Sequence, residues 1–256
     1  MMISQAHKVF FSRFLIASAL LIVGTNLTSA DLVYEADNQN LVFFTSGSFS
    51  DRSHAADTLQ IDTSSNPNKD WRIDSLNTRV RIEGVGNHQN VTAKVRFWAG
   101  HNPASATNVF SDLLSEVDFN IGDHNVTGGA VSLNVNFDYL GSGNSFILPK
   151  NQPLGLEIDW RDDAGSKDIQ TYMTIAVPPN VGSSTPGIYL DVDENNQFSN
   201  GEFLFSAQAI NLRVGIEATA IPEPAGFGGL VVLLLVLLGV FSAKRNPRGI
   251  LANTAR

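Results

Sequence analysis

Hydrophobic and polar residues alternate with a period of two along most of the middle of the chain. The clearest runs are residues 91–99, where valine, alanine and phenylalanine alternate with mainly polar residues, and residues 131–139. The same pattern recurs at 80–82, 154–160 and 212–218. Alternation of this kind predicts β-strands that have one face buried and the other face in solvent.

Shorter strands are predicted between segments rich in Gly, Asn, Ser and Pro, so that about ten strands fill residues 31–220. Residues 109–116 are the one stretch that suggests a turn or two of helix. No internal repeat is present, which disfavours a propeller or a solenoid. The pattern predicts an all-β domain, an antiparallel two-sheet sandwich with a jelly-roll-like arrangement.

The first thirty residues have the three parts of a secretory signal peptide. Lys8 and Arg13 provide a positively charged start, and an uncharged apolar run follows them. Small residues at 28–30 suit cleavage before Asp31. The apolar run is about half the length that a membrane span needs. We therefore expect signal peptidase to remove residues 1–30 during export.

A longer apolar segment lies near the end of the chain. Residues 225–243 carry no charge and are dominated by Leu and Val. At about 1.5 Å per residue they cover about 28 Å, close to the hydrocarbon thickness of a bilayer. Lys244, Arg245 and Arg248 follow, and such residues stay in the cytoplasm. The pattern predicts a single transmembrane helix in the inner membrane, with the folded domain outside and residues 249–256 in the cytoplasm.

A Pro-Glu-Pro triplet, Pro222, Glu223 and Pro224, stands directly before this apolar segment. The triplet, the apolar helix and the basic cluster, in that order over residues 221–248, resemble the PEP-CTERM sorting signal. The resemblance implies a bacterial cell-surface or extracellular-matrix protein whose anchor is processed by an exosortase. Two prolines hold the backbone extended and outside helices or sheets, which leaves a strip accessible to such an enzyme. A plain membrane anchor with a proline hinge is the alternative.

Composition narrows the classes of function. The chain has no cysteine, so disulfides and thiolate sites are excluded. Between residues 31 and 221 there are 24 acidic and 11 basic side chains. A surface this acidic repels phosphate backbones, so nucleic acid is not expected as a partner, whereas cations are natural ligands.

An Asp-rich stretch, residues 191–202, has the ligand spacing of an EF-hand-type calcium loop. The residues at positions 1, 3, 5, 7, 9 and 12 of that loop are Asp191, Asp193, Asn195, Gln197, Ser199 and Glu202. Position 7 contributes its backbone carbonyl, position 9 often acts through water, and the glutamate at position 12 can bind with both oxygens. Asn196 replaces the usual glycine at position 6 but tolerates a left-handed backbone, and Phe198 can pin the loop to the core. Strands rather than helices are expected to flank the stretch. The candidate cofactor is therefore Ca²⁺, and a solvated hairpin turn is the alternative.

Two further features suggest carbohydrate chemistry. The carboxylates Asp159, Asp162 and Asp163 could perform acid–base glycoside hydrolysis if they face a cleft, although Asp is also ordinary at the end of a strand. Trp98 occupies the polar phase of its strand, so we expect an outward indole that can stack on a sugar or cover a loop. Four histidines stand in polar contexts and are expected in surface loops, namely His54, His88, His101 and His124.

Three hypotheses for function follow. The first is a non-catalytic, exosortase-processed surface or matrix protein whose sandwich associates with extracellular polysaccharide. It resembles, at the level of fold alone, the lectin-like sandwiches found before PEP-CTERM signals. The second is a secreted glycan-acting hydrolase, and the third is a purely structural coat component without a small ligand.

Overall fold

The computed structural model describes residues 29–37, 41–42, 53–148, 153–165, 168–175, 178–204 and 210–221. Within these ranges the secondary structure consists of β-strands and one short 3₁₀ turn, without an α-helix. The same ranges hold no helix long and apolar enough to cross a membrane. All strand pairs among them are antiparallel, so the predicted all-β antiparallel fold is confirmed. The predicted signal peptide up to residue 28, the Pro-Glu-Pro triplet, the apolar segment and the basic cluster lie outside the described residues.

Fifteen strands are numbered in chain order within the described residues. Their bounds are β1 Asp31–Glu35, β2 Leu41–Val42, β3 His54–Gln60, β4 Asp70–Glu83, β5 Gly86–His101, β6 Phe110–Val126, β7 Ala130–Asp138, β8 Ile147–Leu148, β9 Leu154–Arg161, β10 Ile169–Thr171, β11 Met173–Ile175, β12 Ser183–Leu190, β13 Phe203–Leu204, β14 Ile210–Leu212 and β15 Val214–Ile221. The 3₁₀ turn spans Asn200–Glu202.

Strand β4 is the axis of a six-stranded first sheet. One edge of β4 pairs with β15 and then with β10, and its other edge pairs with β8 and then with β7. Strand β1 pairs with the far edge of β15. The second sheet also has six strands, in the order β13-β12-β3-β9-β5-β6.

A small third sheet has the order β14-β11-β2. The sequence pattern predicts one continuous strand over 212–218, but the chain breaks this strand at Arg213. There it leaves the small sheet and enters the first sheet as β15, and the Arg213 amide donates to the Tyr172 carbonyl at 2.7 Å. The alternation continues across the break because Leu212, Val214 and Ile216 are buried and Arg213 between them is half-buried.

The main hydrophobic core lies between the first and second sheets. Alternate residues of β5, beginning at Val91 and ending at Phe97, are fully buried in it. Trp160 of β9 crosses the interface, since its ring centroid lies 5.8 Å from that of Phe137 in β7 and its indole N–H donates to Thr171 of β10 at 2.9 Å. The two sheets therefore form a sandwich that shares one core.

The outer face of the second sheet carries a second apolar cluster, which the period-two pattern does not predict. We call it the outer cluster; its buried members are Ala56, Val109, Phe110, Tyr189 and Phe198, with Trp98 and Phe203 packed against them. Phe110 fits because its neighbour on β9 is Gly155. A Cβ at that glycine would lie 2.3 Å from Phe110 Cδ1.

The helical turn expected over 109–116 is wrong. From Phe110 onward this segment is strand β6, which pairs with β5 as far as Val126. The register shifts where Phe97 and Trp98 oppose Ser115 and Leu113, so one residue of β6 bulges out of the ladder. A bulge interrupts the alternation locally, and this interruption imitates a helical period.

Candidate functional site

The Asp191–Glu202 loop connects β12 to β13 and lies over the outer face of the second sheet. Phe198 is 2% exposed and inserts into the outer cluster, so the expected apolar anchor is present, although it contacts this cluster rather than the main core. Two backbone hydrogen bonds fasten the loop to the segment before β6. The Val109 amide donates to the Phe198 carbonyl at 2.6 Å, and the Asn200 amide donates to the Ser105 carbonyl at 2.9 Å.

Three of the six predicted ligands are carboxylates, and the loop brings these three together. Carboxylate oxygens of Asp191, Asp193 and Glu202, at positions 1, 3 and 12, all lie within 4.8 Å of one another. Asp191 and Glu202 are buried, whereas Asp193 is exposed. Oxygens at this spacing could be bridged by one divalent cation, because Ca²⁺ takes oxygen ligands at about 2.3–2.6 Å.

The other three predicted ligands take part in hydrogen bonds within the loop. The Asn195 amide N–H donates to Asp191 and Asp193 at 3.1 and 3.2 Å, and Asn195 Oδ1 accepts from the Gln197 amide at 2.7 Å. Ser199 donates to Glu202 through its amide and its hydroxyl, at 2.8 and 3.0 Å. The side chains of Asn195 and Ser199 thus shape the loop through hydrogen bonds to its carboxylates.

The backbone of the loop turns as the motif requires. Asn196, at position 6, has a φ of 60°, in the left-handed region that the usual glycine would occupy. Its amide then donates to Asp191 Oδ2 at 2.9 Å. Asparagine can take the place of glycine at this position because it adopts the left-handed region at lower cost than most residues.

Glu202 caps the loop from within. Besides the two donors of Ser199, its carboxylate accepts the amide of Val192 at 2.9 Å and that of Asp193 at 3.4 Å. Both oxygens therefore have donors from the protein, and a cation would compete first with the long bond from Asp193. The carboxylate is already held in position, so cation binding would cost little side-chain entropy.

His54 joins this loop to the sheet, and the sequence pattern did not predict its role. It begins β3 and is fully buried, not part of a surface loop. Its Nδ1 lies 2.9 Å from Asp191 Oδ2 and its Nε2 lies 2.7 Å from Glu157 Oε1. Burial alone would lower the pKa of His54, but the two carboxylates outweigh burial and raise it to about 9. The ring is therefore an imidazolium that donates to both carboxylates at neutral pH.

The polar network continues from Glu157 along the outer face. Arg96 of β5 forms an ion pair with Glu157 and a second one with Glu116 of β6, the latter at 2.5 Å. The Trp98 indole N–H donates to Glu157 Oε2 at 3.0 Å. Trp98 thus faces outward as predicted, but it is half-buried against the outer cluster. Only its ring can contact a ligand, since its N–H already has an acceptor.

The three carboxylates considered for hydrolysis have separate partners. Asp159 forms an ion pair with Arg161 at 3.0 Å. Asp162 lies 2.9 Å from His88 Nδ1, and Asp163 accepts from the Asn90 side chain at 2.6 Å. The first contact lies within β9, and the other two join the turn after β9 to β5.

The remaining two histidines also lie in strands. His101 ends β5, and its Nε2 lies 2.9 Å from the Tyr189 hydroxyl; His124 lies in β6, opposite His88 of β5. All four histidines predicted in surface loops are therefore strand residues. Their polar sequence contexts come from the outer face and the strand ends.

Comparisons with known proteins add little to this picture. No family model matches the chain, and no curated protein matches it. The solved structure of infectious bursal disease virus, Gt strain, is similar at 12% identity with a TM-score of 0.23. The match covers 78% of this chain and 44% of the viral chain, so this chain spans less than half the length of that protein. A likeness this weak carries no information about function.

Proposed function

We propose that this chain is an exported, non-catalytic protein of the cell surface or extracellular matrix. A signal peptide at 1–30 would direct export, and the PEP-CTERM-like signal at 221–248 would hold the chain in the inner membrane until an exosortase processes it. The delivered part, residues 31–220, is the β-sandwich, for which we retain a jelly-roll-like arrangement. The order of triplet, apolar segment and basic cluster supports this route.

We further propose that the Asp191–Glu202 loop binds Ca²⁺ and thereby stabilises the sandwich. The observation that carries this proposal is the convergence of motif positions 1, 3 and 12 within 4.8 Å. Extracellular calcium modules have dissociation constants of about 10⁻⁴–10⁻³ M. Affinity in this range suits a site whose carboxylates also accept hydrogen bonds from the protein. An exported domain without cysteine gains from an ion because no disulfide can stabilise it.

Association with extracellular polysaccharide is proposed for the outer face around Trp98. The half-buried indole shares one face of β5 with the charged side chains of Lys94 and Arg96 at alternate positions, a combination that suits ring stacking and hydrogen bonding to sugars. The separate partners of Asp159, Asp162 and Asp163 support binding over hydrolysis.

Calcium binding is tested by melting the full chain, purified in a mild detergent, with millimolar calcium and with a chelator. At 100 times the dissociation constant the ion should stabilise the fold by about 2.7 kcal/mol. Asp193→Asn should remove this gain. Asp118→Asn, which removes a charge from β6 away from the loop, should keep it. An unchanged Tm of the wild type would overturn the proposal.

Sorting is tested by expression in a host that has an exosortase. The wild-type chain should lose its C-terminal segment and leave the inner membrane. Glu223→Ala should keep the full length and remain in the inner membrane. The matched control is Glu217→Ala, which lies in β15 outside the triplet. Equal processing of wild type and Glu223→Ala would contradict the sorting signal.

A further inference from the structure

A continuous series of hydrogen bonds connects the Asp191–Glu202 loop to the Trp98 indole. It runs from Asp191 to His54 at 2.9 Å, from His54 to Glu157 at 2.7 Å, and from Glu157 to the indole N–H at 3.0 Å. We infer that the state of the loop sets the orientation of the Trp98 indole through these bonds. This inference rests on the proposed calcium and sugar sites and joins them.

Burial makes the series able to transmit a change. His54, Asp191 and Glu157 are 0%, 1% and 3% exposed, so water cannot replace a partner that moves away. An unpaired polar group at such a depth is costly, and the remaining members must move to restore their bonds. The loop touches His54 a second time, since the ring centroids of His54 and Phe198 lie 4.6 Å apart.

The half-buried Trp98 is the member of the series that is free to respond. It lies at the rim of the outer cluster, whereas Trp71 and Trp160 are fully buried in the main core. A cation that binds Asp191 changes the hydrogen bond between Asp191 and His54. The position of His54, and therefore that of the Glu157 carboxylate, then changes as well. The sugar-facing surface is therefore calcium-dependent without a ligand shared between the two sites.

Arg96 gives the competing explanation. It forms an ion pair with Glu157 Oε1, the same oxygen that His54 contacts, and it could hold that carboxylate in place without help from His54. In that case Trp98 would be indifferent to the loop. The experiment must separate these two supports of Glu157.

The test uses ¹⁹F NMR of the full chain labelled with 5-fluorotryptophan, in chelator. The chain has three tryptophans, and Trp98→Phe assigns the resonance of the outer one. Asp191→Asn should shift that resonance. Asp193→Asn removes the same charge from the same loop without contacting His54 and should leave the resonance in place. Unshifted resonances of Trp71 and Trp160 show that each variant is folded.

A second pair of variants decides the question if Asp191→Asn does not fold. His54→Asn can keep a donor toward Asp191 but loses the one toward Glu157, so it should shift the Trp98 resonance. His54→Gln can keep the donor toward Glu157 but loses the one toward Asp191, so it should also shift the Trp98 resonance, by less than His54→Asn does. If Asp191→Asn and His54→Asn both retain the wild-type resonance, Arg96 alone supports Glu157 and the inference is wrong.

Calcium added to the wild type separates this inference from the proposed function. A raised Tm with a shifted Trp98 resonance supports both. A raised Tm with an unmoved resonance keeps the calcium site and overturns the coupling. An unchanged Tm overturns the calcium site, and the variants in chelator then decide whether the loop positions Trp98.

Discussion

His54 and His101 lie on the same face of the second sheet and have opposite electrostatic environments. Burial lowers the pKa of His101, whose partner is the neutral hydroxyl of Tyr189. His54 is buried more deeply, yet its pKa is raised to about 9 because two carboxylates accept its protons. Counter-charge, not depth, therefore decides which histidine is charged at neutral pH.

The protonation of His101 predicts an acid-dependent loss of stability. Its pKa in the folded state lies below the ordinary value of 6.5, so the unfolded chain takes up the proton first as pH falls. The stabilising contribution of neutral His101 is complete above about pH 6.5 and declines as pH falls toward its folded pKa. His101→Gln does not titrate and can still contact Tyr189. Urea unfolding at pH 7 and pH 5 should show a smaller acid loss in this variant; equal losses would contradict the assignment.

The Asp191–Glu202 loop is an ordered element because it has its own apolar anchor. The outer cluster gives Phe198 a buried place, and the carboxylates of Asp191 and Glu202 supply acceptors for the backbone amides of the turn. Backbone groups near a surface are usually satisfied by water, whereas this loop satisfies several of them internally. Its shape therefore exists before any ion binds.

Removing the anchor should loosen the loop. Phe198→Ala is expected to destabilise the chain by about 3 kcal/mol, the lower part of the range for a buried Phe, because the outer cluster is small. Calcium affinity should fall in parallel, since the loop must then be ordered on binding. Phe198→Leu keeps most of the apolar volume and should lose less of both. Urea unfolding and calcium titration measure the two effects, and an unchanged affinity in Phe198→Ala would contradict the anchoring role.

Hydrogen bonds from side chains also connect one sheet to another. Asp57 of β3 is fully buried, and its carboxylate accepts the amide of Leu212 in β14 at 2.8 Å. This bond joins the second sheet to the small sheet. Burial raises the pKa of Asp57 well above its usual value. The backbone amides of Leu212 and Thr58 donate to the carboxylate and lower its pKa, but burial has the larger effect.

Loss of this junction should weaken the whole domain. Asp57→Ala leaves the buried Leu212 amide without its acceptor, which costs about 1–3 kcal/mol. Asp57→Asn keeps one acceptor oxygen and removes the buried titrating group, so it should recover part of the loss. Urea unfolding at neutral pH compares the two. Equal stability of wild type and Asp57→Ala would show that the small sheet is held by other contacts.

The alternation of residues was sufficient to predict the all-β antiparallel fold and most of the long strands. The polarity of each strand residue indicates whether its side chain faces the core or the solvent. This pattern is local, so it can be recognised without knowing the partner strand. The calcium-type spacing of residues 191–202 and the left-handed backbone at Asn196 could be predicted from the sequence for the same reason. Both depend on neighbours within one short stretch of chain.

Long-range proximity decided the rest. The outer cluster unites Phe110, Tyr189 and Phe198, which no local period connects, and it covers a face that alternation assigns to solvent. His54 and Glu157 are 103 residues apart, and His54 and Asp191 are 137 apart. Contacts over such separations depend on strand order and register, which an alternating pattern does not encode. For this reason the motif of the loop could be predicted from the sequence, whereas its connection to Trp98 required the folded chain.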